Sequence, residues 1–358
     1  MKVELEVKTA KKELLQGNEA VVRAAINAGC NFFAGYPITP SSEIAHGMAE
    51  LLPKYNGIFV QMEDELASIS AAIGAALAGA KAMTATSGPG FSLMQESIGY
   101  AAITETPVVI FNVMRAGPST GIPTAPSQGD VLQAKHGSHG DYPVVVLAPG
   151  TVKDSYYLTE EAFRVAEEYR VPVVVLSDEI IGHMRESVEL PKFKSKDEIK
   201  QGIERRLGAG LRGHVTGLVY DETGMPTTEP EKYEKLLRRL LSKIEDERLM
   251  RYKMEEVEDA EILFVTYGST YRSARRAVKI LRAKSVKAGL FKIETLNPLP
   301  ERALKEAASN ASKIIVPEMN MGQIVKEVKA ILCDMDVVGI SSFAELMTPE
   351  ALIEAVEE

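Results

Sequence analysis

A chain of 358 residues exceeds one ordinary domain, and its 45% hydrophobic content is enough for two cores. The net charge of −9, from 41 basic and 50 acidic residues, argues against a nucleic-acid binder, which carries a basic surplus or stripe. No apolar run reaches the ~18 residues of a membrane span, and the charged start "MKVELEVKTAKKELLQG" has no apolar signal-peptide core, so neither nucleic acid nor membrane is an expected partner and a cytoplasmic location is expected. The two cysteines, Cys30 and Cys333, lie too far apart for a metal or redox pair and are too few for a four-cysteine iron–sulfur set. They read as buried free thiols in a reducing compartment.

Residues 1–191 alternate short apolar runs with helical patterns. "GNEAVVRAAINAGC" has helical spacing, and "NFFAGYP" is a strand stopped by Gly-Tyr-Pro. "SSEIAHGMAELLPKY" is a helix with Ser41 or Ser42 at its N-cap. Strand "GIFVQM", helix "EDELASISAAIGAALAGA", strand "KAMTATS" and helix "FSLMQESIGYAAIT" follow. Then come the strands "TPVVIFNVM" and "YPVVVLAP", the helix "VKDSYYLTEEAFRVAEEYR" and the strand "VPVVVLSD". Strands apolar on both faces, with helices between them, predict a parallel sheet covered on both sides. The pattern breaks over 192–255, which reads as a linker or helical excursion. Its arginine-rich piece, "LLRRLLSKIEDERLMRYK", alternates in sign and reads as a solvated helix face. Over 256–358 the alternation returns as a second, smaller α/β domain, with "EILFVTYGST", "VKAGLFKIETL" and "KIIVPEMN" as strands.

Parallel sheets place their sites at the carboxyl ends of their strands. Four such ends stand out: "GYPITPSSE", "VQMEDE", "TATSGPG" and "VMRAGPSTGIPT". In the first, Pro37 and Pro40 fix the backbone on both sides of Ile38 and Thr39. In the second, Glu63, Asp64 and Glu65 open an apolar helix. One or two carboxylates there complement the helix dipole, but three exceed what capping needs. Glu65 precedes "LASISAAIGAAL", so its surroundings should be apolar and its pKa raised. Arg115 ends the fourth strand, where its planar fork suits a carboxylate or phosphate, although an ion pair with a helix end would explain it as well. "SGPG" at Ser87–Gly90 could aim amides at an anion, but it lacks a full phosphate-loop pattern, and close packing is its expected role. His136, His139 and Asp141 are too sparse to predict a metal site, and His183 reads as an ordinary helix-end residue. The residues alone therefore predict a small-molecule site at the mouth of the first sheet, built from threonines, an arginine and a buried carboxylate.

Taken together, "GYPITPSSE", "MEDE", "TATSGPGFSLMQE", "MRAGPSTGIPT" and "SDEIIGHMRE" resemble the alpha subunit of archaeal and bacterial 2-oxoacid:ferredoxin oxidoreductases, most like the 2-oxoglutarate type. The likeness covers nearly the whole chain, including "HVTGLVYDETGMP" and "VPEMNMGQ". The resemblance implies an α/β fold: a parallel-sheet domain of the pyrimidine-binding type of thiamine-diphosphate enzymes, then a domain like the C-terminal domain of transketolase. It implies that Glu65 hydrogen-bonds the cofactor's aminopyrimidine ring, that Thr39 contacts cofactor and substrate, that Arg115 pairs with the 2-oxoacid carboxylate, and that Thr124 is a second substrate-contacting threonine. The implied reaction is the coenzyme A-dependent oxidative decarboxylation of 2-oxoglutarate to succinyl-CoA and CO2, with electrons passing to ferredoxin, or the reverse carboxylation. A pyruvate or branched-chain 2-oxoacid enzyme, and a non-catalytic assembly subunit, are the alternatives. No Gly-Asp-Gly…Asn motif for a Mg2+-bound diphosphate occurs, and no cluster ligands do. By the resemblance, Mg2+ and the diphosphate site lie on a beta subunit, and the [4Fe-4S] clusters lie on partner subunits, with gamma and ferredoxin-like delta subunits completing the complex. No metal ligand is expected on this chain.

Overall fold

The computed structural model describes residues 12–199, 202, 206–208 and 214–357. The strands of its first half are β1 (Glu13–Gln16), β2 (Phe32–Gly35), β3 (Ile58–Gln61), β4 (Ala82–Thr86), β5 (Val108–Ala116), β6 (Ile122–Pro126), β7 (Val145–Leu147), β8 (Pro172–Asp178) and β9 (Arg185–Val188). Those of the second are β10 (Tyr252–Glu255), β11 (Ile262–Thr266), β12 (Ala288–Ile293), β13 (Thr295–Asn297), β14 (Lys313–Glu318) and β15 (Asp336–Ser341).

The parallel sheet expected from the apolar runs is present, in the order β7-β8-β5-β4-β2-β3. Its two central strands are buried from Val108 to Arg115 and from Pro172 to Asp178, as strands covered on both faces must be. Helices Gly17–Ala28, Ser42–Leu51 and Val152–Tyr169 cover one face through residues such as Val21, Ile44, Met48 and Leu158. Helix Glu65–Leu77 covers the other through Ile69, Ala72 and Ile73, packed with Ile110 and Met114. Burying each large aliphatic side chain contributes about 1.5–3 kcal/mol. That second cluster runs on without a break into Leu263, Val265, Phe291 and Val316 of the second sheet, β10-β12-β11-β14-β15.

Two departures from the sequence reading concern the join between the halves. "VKAGLFKIETL" is not one strand: β12 ends at Ile293, and β13 leaves to pair antiparallel with β7, so the second half supplies an edge strand of the first sheet. The strand β10, within the stretch read as an excursion, pairs antiparallel with β12. The short strands β1, β6, β9 and β15 were not expected, because they lie at edges and alternate exposed with partly covered residues instead of running apolar. Cys30 is buried and its thiol pushed up to about 12 by desolvation, but Cys333 is exposed, which corrects the reading of two buried thiols. Cys333 lies just past helix Ile324–Ile331, in the turn before β15.

The segment "VPEMNMGQ" holds the halves together. Glu318 is buried and accepts at Oε2 from the Tyr267 hydroxyl (2.9 Å) and the Ile324 amide (2.9 Å), and at Oε1 from the Val325 amide (2.9 Å). Asn320 Nδ2 donates to Gln128 O (2.7 Å), and Gln128 and Met319 exchange a backbone bond (2.9 Å) and a side-chain bond (3.1 Å). Glu318→Ala leaves those three buried donors without an acceptor, at about 1–3 kcal/mol each. Its unfolding free energy in guanidinium titrations is expected to fall by roughly 3 kcal/mol or more. Among the described residues, no helix is long and apolar enough to cross a membrane.

Candidate active site

The site lies at the carboxyl ends of β2, β3, β4 and β5. After β2 the chain passes through Tyr36, Pro37, Ile38 and Thr39 into a cis Thr39–Pro40 bond. Ser41 occupies the cap position of helix Ser42–Leu51, but its hydroxyl donates back to Ile38 O (2.9 Å) and makes no cap bond. Asn18 pins the loop from below, donating through Nδ2 to Pro40 O (2.9 Å) and to Glu43 Oε2 (3.1 Å). The Thr39 side chain faces outward and is exposed.

The acidic cluster divides its work. Asp64 caps helix Glu65–Leu77 by accepting from the Ala67 amide (2.7 Å). Glu65 is therefore not needed for capping. It is 4% exposed, and its Oε1 has no hydrogen-bond partner. Burial pushes its pKa up; a backbone hydrogen bond and the charge of Arg115 oppose the shift, and Asp64 adds to it. Gly90 lies against this carboxyl: a Cβ there would stand 2.2 Å from Glu65 Oε1 and 2.4 Å from Thr86 Oγ1. The hydroxyls of Thr84, Thr86 and Ser87 are likewise buried and unpartnered.

The turn Ser87–Gly90 separates Glu65 from Arg115. Its amides close the turn, Gly90 N to Ser87 O (3.1 Å) and Phe91 N to Gly88 O (3.1 Å), so close packing is its role. Gly88 has a φ of +51°, and a Cβ there would stand 2.7 Å from Arg115 Nε. The buried Arg115 donates from Nη1 to Thr39 O (2.8 Å) and from Nη2 to Thr120 O (3.1 Å), while Nε has no partner. Arg115 is thus neither tied to a helix end nor wholly free for a ligand. It braces two loops and keeps one undonated N–H. Burial lowers its pKa, with Asp130 and Glu65 opposing. Asp130, to which Asn112 Nδ2 donates (2.9 Å), is itself pushed up to about 6 by burial. Thr124 stands exposed on β6, which folds back antiparallel on β5 beside Arg115.

The structure therefore brings Glu65 and Arg115 to one turn and ties Thr39 to Arg115 through its carbonyl. Thr124 is on the neighbouring ribbon. Sequence reasoning did not single out Thr84, Thr86, Asn112 or Asp130. The signal for the first two was present: threonines at i and i+2 of a fully buried strand share one face. His136, His139 and Asp141 are exposed, and among the described residues no group of His, Cys, Asp and Glu is placed to hold a metal ion.

His183, read as an ordinary helix-end residue, is more than that. Its Nδ1 lies 3.0 Å from Glu179 Oε1 and its Nε2 lies 3.4 Å from Glu43 Oε2, beside the Thr39 loop. The bond to Glu179 raises its pKa, burial opposes, and Glu43 adds to the rise. Because the folded pKa is raised, this contribution to stability is complete below the unfolded value near 6.5 and is lost as pH rises through the folded pKa. The stability difference between the wild type and His183→Gln, measured from pH 5 to 9, is expected to shrink with rising pH. A difference independent of pH would remove this role.

Known proteins resemble this chain along nearly its whole length. Residues 23–238 match the family described as pyruvate flavodoxin/ferredoxin oxidoreductase, thiamine diP-bdg, and residues 260–348 match pyruvate:ferredoxin oxidoreductase core domain II. The chain is 63% identical to the 2-oxoglutarate synthase subunit KorA of Archaeoglobus fulgidus, over 96% of this chain and 98% of that one. It is 39% identical to the ketoisovalerate oxidoreductase subunit VorB of Methanothermobacter thermautotrophicus, over 88% and 89%. Among solved structures, 2-oxoglutarate:ferredoxin oxidoreductase from Magnetococcus marinus, with 2-oxoglutarate, coenzyme A and succinyl-CoA bound, superposes with a TM-score of 0.89 at 34% identity, covering 97% of this chain but 65% of the other. A split-gene transketolase matches at a TM-score of 0.60 and 15% identity, which shows a shared fold. The thiamine-binding sheet domain, the second α/β domain and these matches, spread over nearly the whole length, together show that the chain belongs to the 2-oxoacid:ferredoxin oxidoreductase family as a subunit of the alpha type.

Proposed function

We propose that this chain is the catalytic alpha subunit of a 2-oxoglutarate:ferredoxin oxidoreductase, converting 2-oxoglutarate and coenzyme A to succinyl-CoA and CO2 with electrons to ferredoxin, or running the reverse carboxylation. The observation that carries this reading is the Glu65 carboxyl, buried with Oε1 unpartnered against a glycine that leaves room for nothing larger. Such an orphaned acceptor fits the aminopyrimidine end of thiamine diphosphate, and the Thr86 hydroxyl beside it supplies a second polar contact. Thiamine diphosphate supplies the carbanion chemistry through which a 2-oxoacid loses CO2.

This chain's residues then bind and orient. Glu65, its pKa raised by burial, holds or accepts a proton at Oε1 where a water-exposed carboxylate would stay ionised. Arg115 keeps one unpartnered N–H, at Nε and buried beside Gly88, as the donor for a substrate carboxylate. Thr39, whose carbonyl Arg115 holds, and Thr124, on β6 beside Arg115, are exposed and supply hydroxyls on either side of it. Holding the carboxylate fixes the 2-keto carbon relative to the cofactor, and such positioning is a large part of the rate gain.

A beta subunit would carry the diphosphate and Mg2+, because this sequence lacks a Gly-Asp-Gly…Asn motif. With two cysteines, it leaves the [4Fe-4S] clusters to partners, including gamma and ferredoxin-like delta subunits. The retention of Glu65, Thr39 and Arg115 speaks against a non-catalytic assembly subunit. The test is a steady-state comparison of 2-oxoglutarate, pyruvate and 2-oxoisovalerate on the reconstituted complex with coenzyme A and ferredoxin. A clear preference for 2-oxoglutarate in kcat/KM is expected, and equal or better turnover of either rival would reassign the substrate.

A further inference from the structure

The motif "HVTGLVYDETGMP" plays no part in the site just described. It lies at the other end of the sheet, where Glu105 leads into β5 and Arg170 into β8. Together with helix Pro230–Leu241 it walls a cleft of about 470 Å³. That volume is within the range of small-molecule sites, about 300–1,000 Å³.

Among the described residues, charge in this cleft does not balance. Along the rim, Lys232 stands 3.7 Å from Asp221 and 2.8 Å from Glu229, and Lys235 pairs with Glu222, so two cations meet three carboxylates there and the positive surplus is confined to the floor. At the floor, among the described residues, the buried Glu105 carboxylate meets three cations: Arg239 (2.9 Å) and Arg170 (3.0 Å), which line the cleft, and Lys243 just beneath its lining. Three positive groups around one carboxylate leave a surplus, and Lys243 is nearly covered as well. Its pKa is pushed down to about 8, first by burial and further by the charges of Arg170 and Arg239, with Glu105 opposing. The charged piece 236–253, read from sequence as a solvated face, therefore turns Arg239 and Lys243 inward. Thr216 accepts at Oγ1 from the Leu218 amide (3.0 Å), which leaves its own proton to donate, and Val215 and Leu236 supply apolar wall. Arginine forks, lysines and a hydroxyl donor around an open volume suit clustered anionic oxygens.

We propose that this cleft binds a phosphate-bearing small molecule of nucleotide size, with Arg239 and Arg170 on the phosphate oxygens and the Val215–Leu236 wall against the organic part. The site is independent of the thiamine chemistry and of the substrate assignment. The test is equilibrium dialysis of the assembled complex, saturated with thiamine diphosphate, against radiolabelled inorganic pyrophosphate and, separately, ADP. The variants are Arg239→Gln and the exposed rim pair Lys232→Gln/Lys235→Gln, the second because it leaves the buried Glu105 cluster intact. The wild-type complex should bind one equivalent per alpha chain more than Arg239→Gln. Affinity in the rim variant should be about tenfold weaker, because Asp221, Glu222 and Glu229 then stand without their counter-charges at the mouth of the cleft and repel the anion, with its turnover of 2-oxoacid unchanged. No saturable extra equivalent in the wild type, or one whose affinity neither variant alters, would overturn the proposal.

Discussion

Glu65→Gln in the assembled complex is expected to lower turnover of 2-oxoglutarate by about 10²–10⁴-fold, the range attached to a positioned proton-transfer group. The amide keeps the shape of the side chain and its packing against Gly90, but it cannot take up or release a proton at Oε1. Stability should move the other way. A carboxyl with a raised folded pKa binds its proton more tightly folded than unfolded, so the folded state loses stability as pH rises from the unfolded pKa toward the folded one. Glutamine removes that loss, and the variant should be at least as stable as wild type at pH 7 and less favoured near pH 4. Turnover and denaturation midpoint measured on one preparation separate the two effects. Near-normal turnover would end the assignment of Glu65 to the cofactor.

Arg115→Lys should raise KM for the 2-oxoacid by roughly 10²-fold, corresponding to the ~1.5–3 kcal/mol of a hydrogen bond to a charged group. Charge is retained, but a lysine ammonium is a point donor without the planar fork that reaches both Thr39 O and Thr120 O. Because those bonds fix the loops bearing the site's hydroxyls, kcat should fall too, in contrast to a residue that only binds the ground state. A rise in KM with kcat untouched would leave Arg115 its substrate contact and take away its role as a brace. No change in either would remove both.

Much of this was legible before any coordinates. Val108–Met114 and Val171–Leu176 are apolar at every position or nearly so, and only a strand covered on both faces reads that way. Three carboxylates before an apolar helix exceed what capping needs, and the structure shows which one caps: Asp64, through the Ala67 amide. Tertiary partners hid the rest. Three residues, Thr295–Asn297, carry no periodic signal, and the free edge of β7 decides where they go. Arg115 could be placed at a strand mouth by its spacing, but its two carbonyl partners lie 76 and 5 residues away and belong to loops. The alternating charges after Leu236 looked solvated because the acid that recruits two of them, Glu105, is more than 130 residues upstream.

The exchange of β13 into the first sheet bears on how the molecule can move. A hinge between the halves would have to tear a strand pair and open the continuous core beneath it. Rigid-body opening of the kind that gates many two-domain enzymes is thus closed to this chain. The same stitch sets a limit for protein engineering. Severing the chain between the halves would bare the edge of β7 and invite it to pair with another copy, so the two parts should be expressed together or not at all.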